Sequence, residues 1–315
     1  MRKVLITGGL GYLGGRIAQF LGLQGQAEVI LGSRQPCLPP AWLPAARMVE
    51  TRWDSDSALE AICAEVDAVV HCAGMNAQAC AADPVAALQI NAVATARLVR
   101  AAARMRVKRL IYMSTAHVYG SPLTGVLTEN TCPVALHPYA TSHRAGEDAV
   151  LSAFQRREID GIVIRLSNGY GAPMHKEVDC WTLLVNDLCR QAVSTRRMLV
   201  HSSGLARRDF VPLQAVCSAV AHLLHVPAQD LGSGLFNVGG DWSPTVWEMA
   251  CLVQERCAGS LGFRPELSRA APQAGETTAP LDYRLDNLLR SGFQPPADKL
   301  AEIDQLLAFC QDSFA

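Results

Sequence analysis

The chain predicts an α/β fold in which helices wind over both faces of a parallel sheet, with a smaller lobe after it. Three observations carry this. Short β-rich runs alternate with helical patterns of ten or more residues through the first half. The first strand breaks into a glycine-rich turn that opens directly into a helix. After Gly171 the alternation fades, leaving mostly helical segments.

Lys3–Thr7 is the first strand, and the spacing of Ile17, Phe20 and Leu21 marks the helix after the turn. Strands follow at Glu28–Leu31 and, past a proline-rich loop from Pro36 to Pro44, near Arg47–Glu50. Ser57–Ala64 is helical. Val66–His71 is a short, mostly apolar run around Ala68-Val69-Val70, as a strand covered on both faces requires. Asp83–Arg104 reads as one long Ala-rich helix, Asp83 capping it and Pro84 in its first position. Leu110–Met113 is a strand, Tyr139–Gln155 a helix and Gly161–Leu166 a strand. Beyond Gly171, Trp181–Val193 and Leu213–His225 are helical, Leu235–Val238 is a strand, and Ser243–Cys257 is a helix with Ser243 as cap and Pro244 first inside it. Arg264–Pro280 reads as loop and Asp298–Phe309 as the last helix. The expected division is residues 1–171 as the sheet domain, completed by 207–242, with 172–206 and 243–315 forming the smaller lobe, which would bind substrate at the carboxyl ends of the strands.

Half of the 315 residues are apolar and 18% are charged, which excludes a disordered chain. Lys and Arg number 28 against 29 Asp and Glu, so no global field draws the protein to nucleic acid or anionic lipid. The basic cluster Arg97, Arg100, Arg104, Arg106, Lys108 and Arg109 reads as a solvated helix face and loop. No apolar run is long enough to span a membrane, and the start of the chain lacks the features of a signal peptide, so the expected location is cytoplasmic. The eleven cysteines include no C-x-x-C pair and read as reduced, mostly buried small residues.

Gly8, Gly11 and Gly14 are spaced by three, and Gly9, Gly11 and Gly14 satisfy G-x-G-x-x-G between a strand and a helix. A pyrophosphate can approach a helix N-terminus only where no Cβ blocks the backbone amides, so the turn reads as a Rossmann-type dinucleotide site. The second strand ends in Gly32-Ser33-Arg34 with no carboxylate following it. An acidic residue there accepts bonds from the adenosine ribose, whereas a cation suits a 2′-phosphate; NADP(H) is therefore favoured, with NAD(H) as the other candidate.

The chain resembles an extended short-chain dehydrogenase/reductase, within the group of sugar-nucleotide epimerases, dehydratases and reductases. Thr7-Gly8-Gly9-Leu10-Gly11-Tyr12-Leu13-Gly14 is similar to that family's T-G-x-x-G-x-x-G. Trp53-Asp54 resembles the position that meets the adenine, with Ser55 beside it, and Cys72-Ala73-Gly74 the turn lining the cofactor. Asn91 begins a stretch like N-x-x-G-T, with Ala94 in place of its glycine. Met113–Gly120 resembles the segment supplying a catalytic hydroxyl, here Thr115. Arg165–Gly171, Arg208–Val211 and Phe236–Gly239 follow in the family's order. The resemblance implies that Gly8, Gly11, Tyr12, Leu13, Gly14, Ser33, Arg34, Asp54, Ser55, Cys72, Ala73, Gly74, Asn91, Tyr139, His143 and Leu166 line the cofactor. It implies Asn168, Lys176 and Arg208 for substrate, and a homodimer.

Tyr139 matches the family's proton-transferring Tyr, and the residue one helical turn on, ordinarily Lys, is His143. A Lys carries a permanent charge that lowers the pKa of the phenol, whereas a His of pKa ~6.5 is mostly neutral at pH 7. Three outcomes are open: His143 acts as a hydrogen-bonding relay, Tyr139 works without a lowered pKa, or the fold binds cofactor without turning over. The related dehydratases carry Asp-Glu after the catalytic Thr; Ala116-His117 here disfavours loss of water. Arg208 resembles an arginine that clamps a substrate diphosphate, but Gln273-Ala274-Gly275-Glu276 lacks the second arginine of many epimerases. The expected activity is an NAD(P)-dependent epimerase or carbonyl reductase acting on a sugar or nucleotide-sugar, the alternative a sensor or scaffold without turnover. His222 and His225 read as packing residues, not metal ligands. Ser114 with His117 and Asp54 lacks the G-x-S-x-G surroundings of a hydrolase. His137 is either a relay partner of Tyr139 or simply solvated.

Overall fold

A computed structural model describes residues 1–315. Its strands are β1 (Arg2–Thr7), β2 (Ala27–Ser33), β3 (Arg47–Glu50), β4 (Ala68–His71), β5 (Arg109–Thr115), β6 (Gly125–Leu127), β7 (Asp160–Leu166), β8 (Asn168–Tyr170), β9 (Arg197–Val200), β10 (Phe210–Pro212), β11 (Leu235–Val238), β12 (Glu266–Arg269) and β13 (Leu281–Tyr283). Seven strands form one parallel sheet in the order β3-β2-β1-β4-β5-β7-β11. The chain works outward from β1 in one direction and then returns to build the other half, so the crevice lies between β1 and β4, the position at which such sheets bind ligands. In register, Thr7 pairs with His71 and His71 with Tyr112, while Thr115 pairs with Leu166.

The helices are α1 (Tyr12–Leu23), α2 (Asp56–Cys63), α3 (Ala77–Ala82), α4 (Pro84–Ala87), α5 (Ala94–Arg104), α6 (Pro138–Gln155), α7 (Leu184–Thr195), α8 (Leu213–Leu223), α9 (Val246–Leu261), α10 (Asp286–Arg290) and α11 (Ala301–Phe314). One face of the sheet carries a 40-residue apolar cluster to which α1 and α8 contribute, and the other a 19-residue cluster with α2, α5 and α6. Covered on both sides, β4, β5 and β11 are buried along their whole length, and β5 and β11 bury Arg109, Ser114, Thr115 and Asn237 along with their apolar residues. A third cluster, of 17 residues, draws on α7, α9 and α11 and forms the core of a smaller body. Leu281, Tyr283, Leu285, Leu288 and Phe293 pack with the sheet instead.

Several elements differ from the sequence reading, among them the short strands β6, β8, β9, β10 and β13 and the short helix α10, none of them read from the residues. The helix expected over 83–104 is interrupted by a π-helical turn at Leu88–Val93, although Asp83 caps its start as read. α9 starts at Val246, not after Ser243. Thr245 and Glu248 form a reciprocal capping box, in which each side chain accepts the other's backbone N–H, at 3.1 and 2.7 Å, and that pair of bonds fixes the boundary. The segment read as loop contains β12, which pairs with β9. α3, capped by Asn76, lies in a stretch not read as helical. All eleven cysteines are free. No helix is long and apolar enough to cross a membrane.

Candidate active site

β1 delivers the chain into the glycine turn. Gly8 has φ +66°, and a Cβ there would lie 2.9 Å from the Ala73 backbone nitrogen. A Cβ at Gly14 would lie 2.3 Å from the Gly8 carbonyl oxygen. These two glycines let the turn, the start of α1 and the end of β4 pack together. Gly11 differs: its Cβ would meet only the Gly8 oxygen, at 3.2 Å, leaving the helix start open. α1 has neither a side-chain cap nor an acidic residue in its first turn, so the positive end of its dipole is uncompensated and suited to an anion. The Tyr12 side chain is turned to another use. Its hydroxyl reaches the Gly171 oxygen at 3.0 Å and Asn186 Oδ1 at 3.3 Å, which ties α1 to the smaller body and leaves only its backbone for a ligand. Leu13 packs on the core. His175 donates to the Leu10 carbonyl at 3.2 Å, so the loop carrying Lys176, itself exposed, lies against the turn.

At the far end of the crevice, Arg34 is exposed and Ser33 half-buried. The β2–β3 register sets Glu50 opposite Ser33, so a carboxylate stands there as well as the guanidinium. The Asp54 side chain is exposed, while Ser55 is engaged as the N-cap of α2, accepting the Ala58 N–H at 3.2 Å. Cys72, Ala73 and Gly74 leave β4 beside Gly8. Asn91 sits behind them, buried: its Oδ1 accepts the Met75 N–H at 2.8 Å and its Nδ2 donates to Ser142 at 3.0 Å. It braces the Gly74–Met75 turn against α6 rather than presenting a free amide. Leu166 is buried at the end of β7.

The three expected catalytic residues converge. α6, started by Pro138 and by the His137 ring accepting the Tyr139 N–H at 3.2 Å, carries Tyr139 and His143 on one face. Their ring centroids are 4.5 Å apart, edge to face. Burial pushes the Tyr139 phenol up to about 12, and the neighbouring Thr115 hydroxyl opposes that rise. Thr115 ends β5, and its oxygen accepts the His117 N–H at 3.2 Å. Burial pulls His143 down to about 4, so it is neutral at pH 7 and places no cation beside Tyr139. Beneath them, Glu147 is sealed from solvent and accepts from Ser114 Oγ at 2.6 Å and from Arg165 Nε and Nη2 at 3.0 and 2.7 Å. That network pins α6 to β5 and β7.

Toward the smaller body, Arg208 is exposed and makes no ion pair. His117 faces Tyr139 at 6.5 Å between centroids. Partial burial lowers the His117 pKa, and Arg208 and His137 lower it further. Asn168 donates to the Asp209 carbonyl at 2.9 Å. Asp209 is buried, pushed up to about 6 by desolvation, and accepts from Ser167, Gly240 and Trp242.

Sequence reasoning missed Tyr112, Glu147 and Asp209. The first two lie on elements that were read correctly. A Glu and an Arg at the core-facing positions of a helix and an apolar strand are the signal that could have revealed the Glu147–Arg165 pair.

The profile of the NAD dependent epimerase/dehydratase family matches residues 4–239. A dTDP-6-deoxy-L-talose 4-dehydrogenase (NAD(P)(+)) of Kitasatospora kifunensis is 30% identical over 247 residues, covering 74% of each chain. A dTDP-glucose 4,6-dehydratase of Streptomyces niveus is 25% identical over 269 residues, 81% of this chain and 77% of that one. The fold is that of the UDP-glucose 4-epimerase of Thermus thermophilus, solved in complex with NAD, at a TM-score of 0.80, 22% identity and 99% coverage of both chains. With the glycine turn, the Tyr139–Thr115 pair and this match over most of its length, the chain belongs to the NAD dependent epimerase/dehydratase family.

Proposed function

We propose that the protein is an NAD(P)-dependent epimerase or carbonyl reductase of a nucleotide-sugar. The observation that carries this reading is the meeting of Tyr139 and Thr115 at the carboxyl end of β5, beside a glycine turn whose Gly11 leaves room for a pyrophosphate. When bound, the cofactor supplies or accepts a hydride. The chain's own groups manage the proton. The Thr115 oxygen accepts the His117 N–H and keeps one hydrogen, which it would turn from the neighbouring Tyr139 oxygen to the reacting sugar oxygen. With no cation beside it, Tyr139 stays a phenol at neutral pH, the form that gives a proton to an oxygen gaining negative charge. This makes carbonyl reduction the easier half-reaction; epimerisation needs that half and its reverse.

Gly8, Gly11 and Gly14 with the first amides of α1 would seat the pyrophosphate, and His143 would meet the nicotinamide ribose. Arg208 is a free guanidinium suited to a substrate diphosphate. Arg34 supports NADP(H), and Glu50 opposite Ser33 keeps NAD(H) as the alternative. The neutral His143 favours a second reading, a cofactor-binding protein without turnover. A cytoplasmic homodimer goes with the first, and the exposed Val85, Leu88, Ile90 and Val93 support the pairing.

The test is a panel of UDP- and dTDP-sugars with each oxidised and reduced cofactor, read by mass spectrometry and nicotinamide absorbance. Turnover by the wild type supports the enzyme. Activity gained only in His143→Lys establishes the second reading, and no cofactor binding at all refutes both.

A further inference from the structure

His143 Nδ1 lies 2.8 Å from the hydroxyl of Tyr112, a fully buried side chain of β5. The same hydroxyl lies 3.2 Å from the Asn91 carbonyl oxygen, which also accepts from Thr95 Oγ1 at 2.7 Å. A phenol has one proton to give, and a carbonyl oxygen only accepts. If Tyr112 donates to Asn91, then His143 must carry its proton on Nδ1 and donate it to Tyr112, and both contacts are hydrogen bonds. If Tyr112 donates to His143 instead, the contact with Asn91 has no proton, and a buried bond is lost. The first arrangement makes one bond more.

Gly146 shows that this junction is built. It lies inside α6, where glycine is less favourable than alanine, and a Cβ there would fall 2.7 Å from both the Tyr112 hydroxyl and the Asn91 oxygen. His143 Nε2 has no protein partner and is not among the sealed polar atoms. The ring edge at Cε1 lies 3.9 Å from a Cβ built on Gly74, which faces the crevice.

We propose that Tyr112 is a positioning residue that locks His143 in the Nδ1–H tautomer, so that Nε2 faces the crevice as a hydrogen-bond acceptor. A lysine in this place offers only donors. Here the group that meets His143 must itself donate, as a ribose hydroxyl does. Tyr112 and His143 are therefore a matched pair, and the site is read with opposite polarity from one holding a lysine. The ligand side of this proposal rests on the cofactor reading above; the tautomer does not.

The experiment uses the 15N-labelled, cofactor-free protein. Long-range 1H–15N spectra report which ring nitrogen carries the proton, with the His143 signals assigned by their loss in His143→Asn. The expected wild-type pattern is Nδ1–H. In Tyr112→Phe, and in Gly146→Ala as an independent way to displace the hydroxyl, His143 shifts toward Nε2–H, and NADH or NADPH binds ~3–10-fold more weakly, the worth of one hydrogen bond. An Nε2–H pattern in the wild type overturns the proposal even if neither variant folds. So does a Tyr112→Phe protein that keeps both the Nδ1–H pattern and wild-type affinity. If the wild type shows Nδ1–H but binds neither cofactor, the tautomer lock stands and the cofactor reading falls.

Discussion

Replacing the three turn glycines one at a time by alanine separates stability from binding. At Gly14 the new Cβ would lie 2.3 Å from the Gly8 oxygen and 2.9 Å from the Gly8 carbonyl carbon, so backbone must move. Overpacking of this kind costs ~1–3 kcal/mol or more, against ~1 kcal/mol gained from alanine's helix propensity. Gly8→Ala adds a strained φ to its 2.9 Å contact with Ala73. Both variants lose stability and binding together. At Gly11 the backbone is extended, φ −82° and ψ −175°, and the single neighbour at 3.2 Å is tolerable. Gly11→Ala therefore changes the unfolding free energy by no more than ~1 kcal/mol, the usual range for an N-cap substitution. Its methyl group nevertheless stands where a pyrophosphate must approach the helix. Losing one charge-assisted hydrogen bond, ~1.5–3 kcal/mol, weakens NADH or NADPH ~10–100-fold. Urea titration and calorimetry read the two effects separately. A Gly11→Ala protein that binds both cofactors like the wild type, or unfolds as readily as Gly14→Ala, refutes the division of labour.

Three further outcomes follow from the buried charges and the open cleft. Glu147→Leu leaves Arg165 buried without its carboxylate and costs ~3–5 kcal/mol, most of it recovered in Glu147→Leu/Arg165→Met; a urea-determined loss below ~1 kcal/mol contradicts this. His143 and His71, pulled down to about 4 and about 3 by burial, stay neutral in the native state while their unfolded forms protonate. Stability is thus lost as pH falls from ~6.5 toward 4, by ~3 kcal/mol for His143 alone, partly offset by Asp209, which protonates in the native state first. His143→Asn should flatten the slope of stability against pH over that range, and an unchanged slope counts against a neutral buried His143. Arg208→Met, which breaks no ion pair, leaves the urea midpoint unchanged and raises KM for a nucleotide-sugar ~10-fold or more with kcat nearly preserved; an equal fall in kcat contradicts a binding role.

What could be read from residues alone follows from how local each signal is. Thr7 to Gly14 is legible because strand, turn and helix are contiguous along the chain. β4 and β5 are legible because burial on both faces demands the apolar stretches Ala68–Val70 and Leu110–Met113 at their centres. The meeting of Thr115 and Tyr139 is not local; it was legible only through the order of motifs along the chain. Tyr112 read as one more apolar strand residue, since its hydroxyl gains meaning only from the β4–β5 register and from Gly146 on a distant helix. The π turn around Asn91 was hidden because an Ala-rich sequence carries the same helical period either side of it. The cap of α9 was misplaced because Ser243-Pro244 is a good local signal, while the reciprocal Thr245–Glu248 bonds are a better one.

The proposed chemistry stands or falls on Tyr139 handling the proton beside a bound nicotinamide. The most direct measurement is stopped-flow nicotinamide absorbance in a single turnover, comparing wild type with Tyr139→Phe on whichever nucleotide-sugar the panel yields. The expected result is unchanged cofactor affinity and hydride transfer slowed by ~10²-fold or more, the range for loss of a general acid–base group. Transfer at the wild-type rate with phenylalanine at position 139 would contradict it.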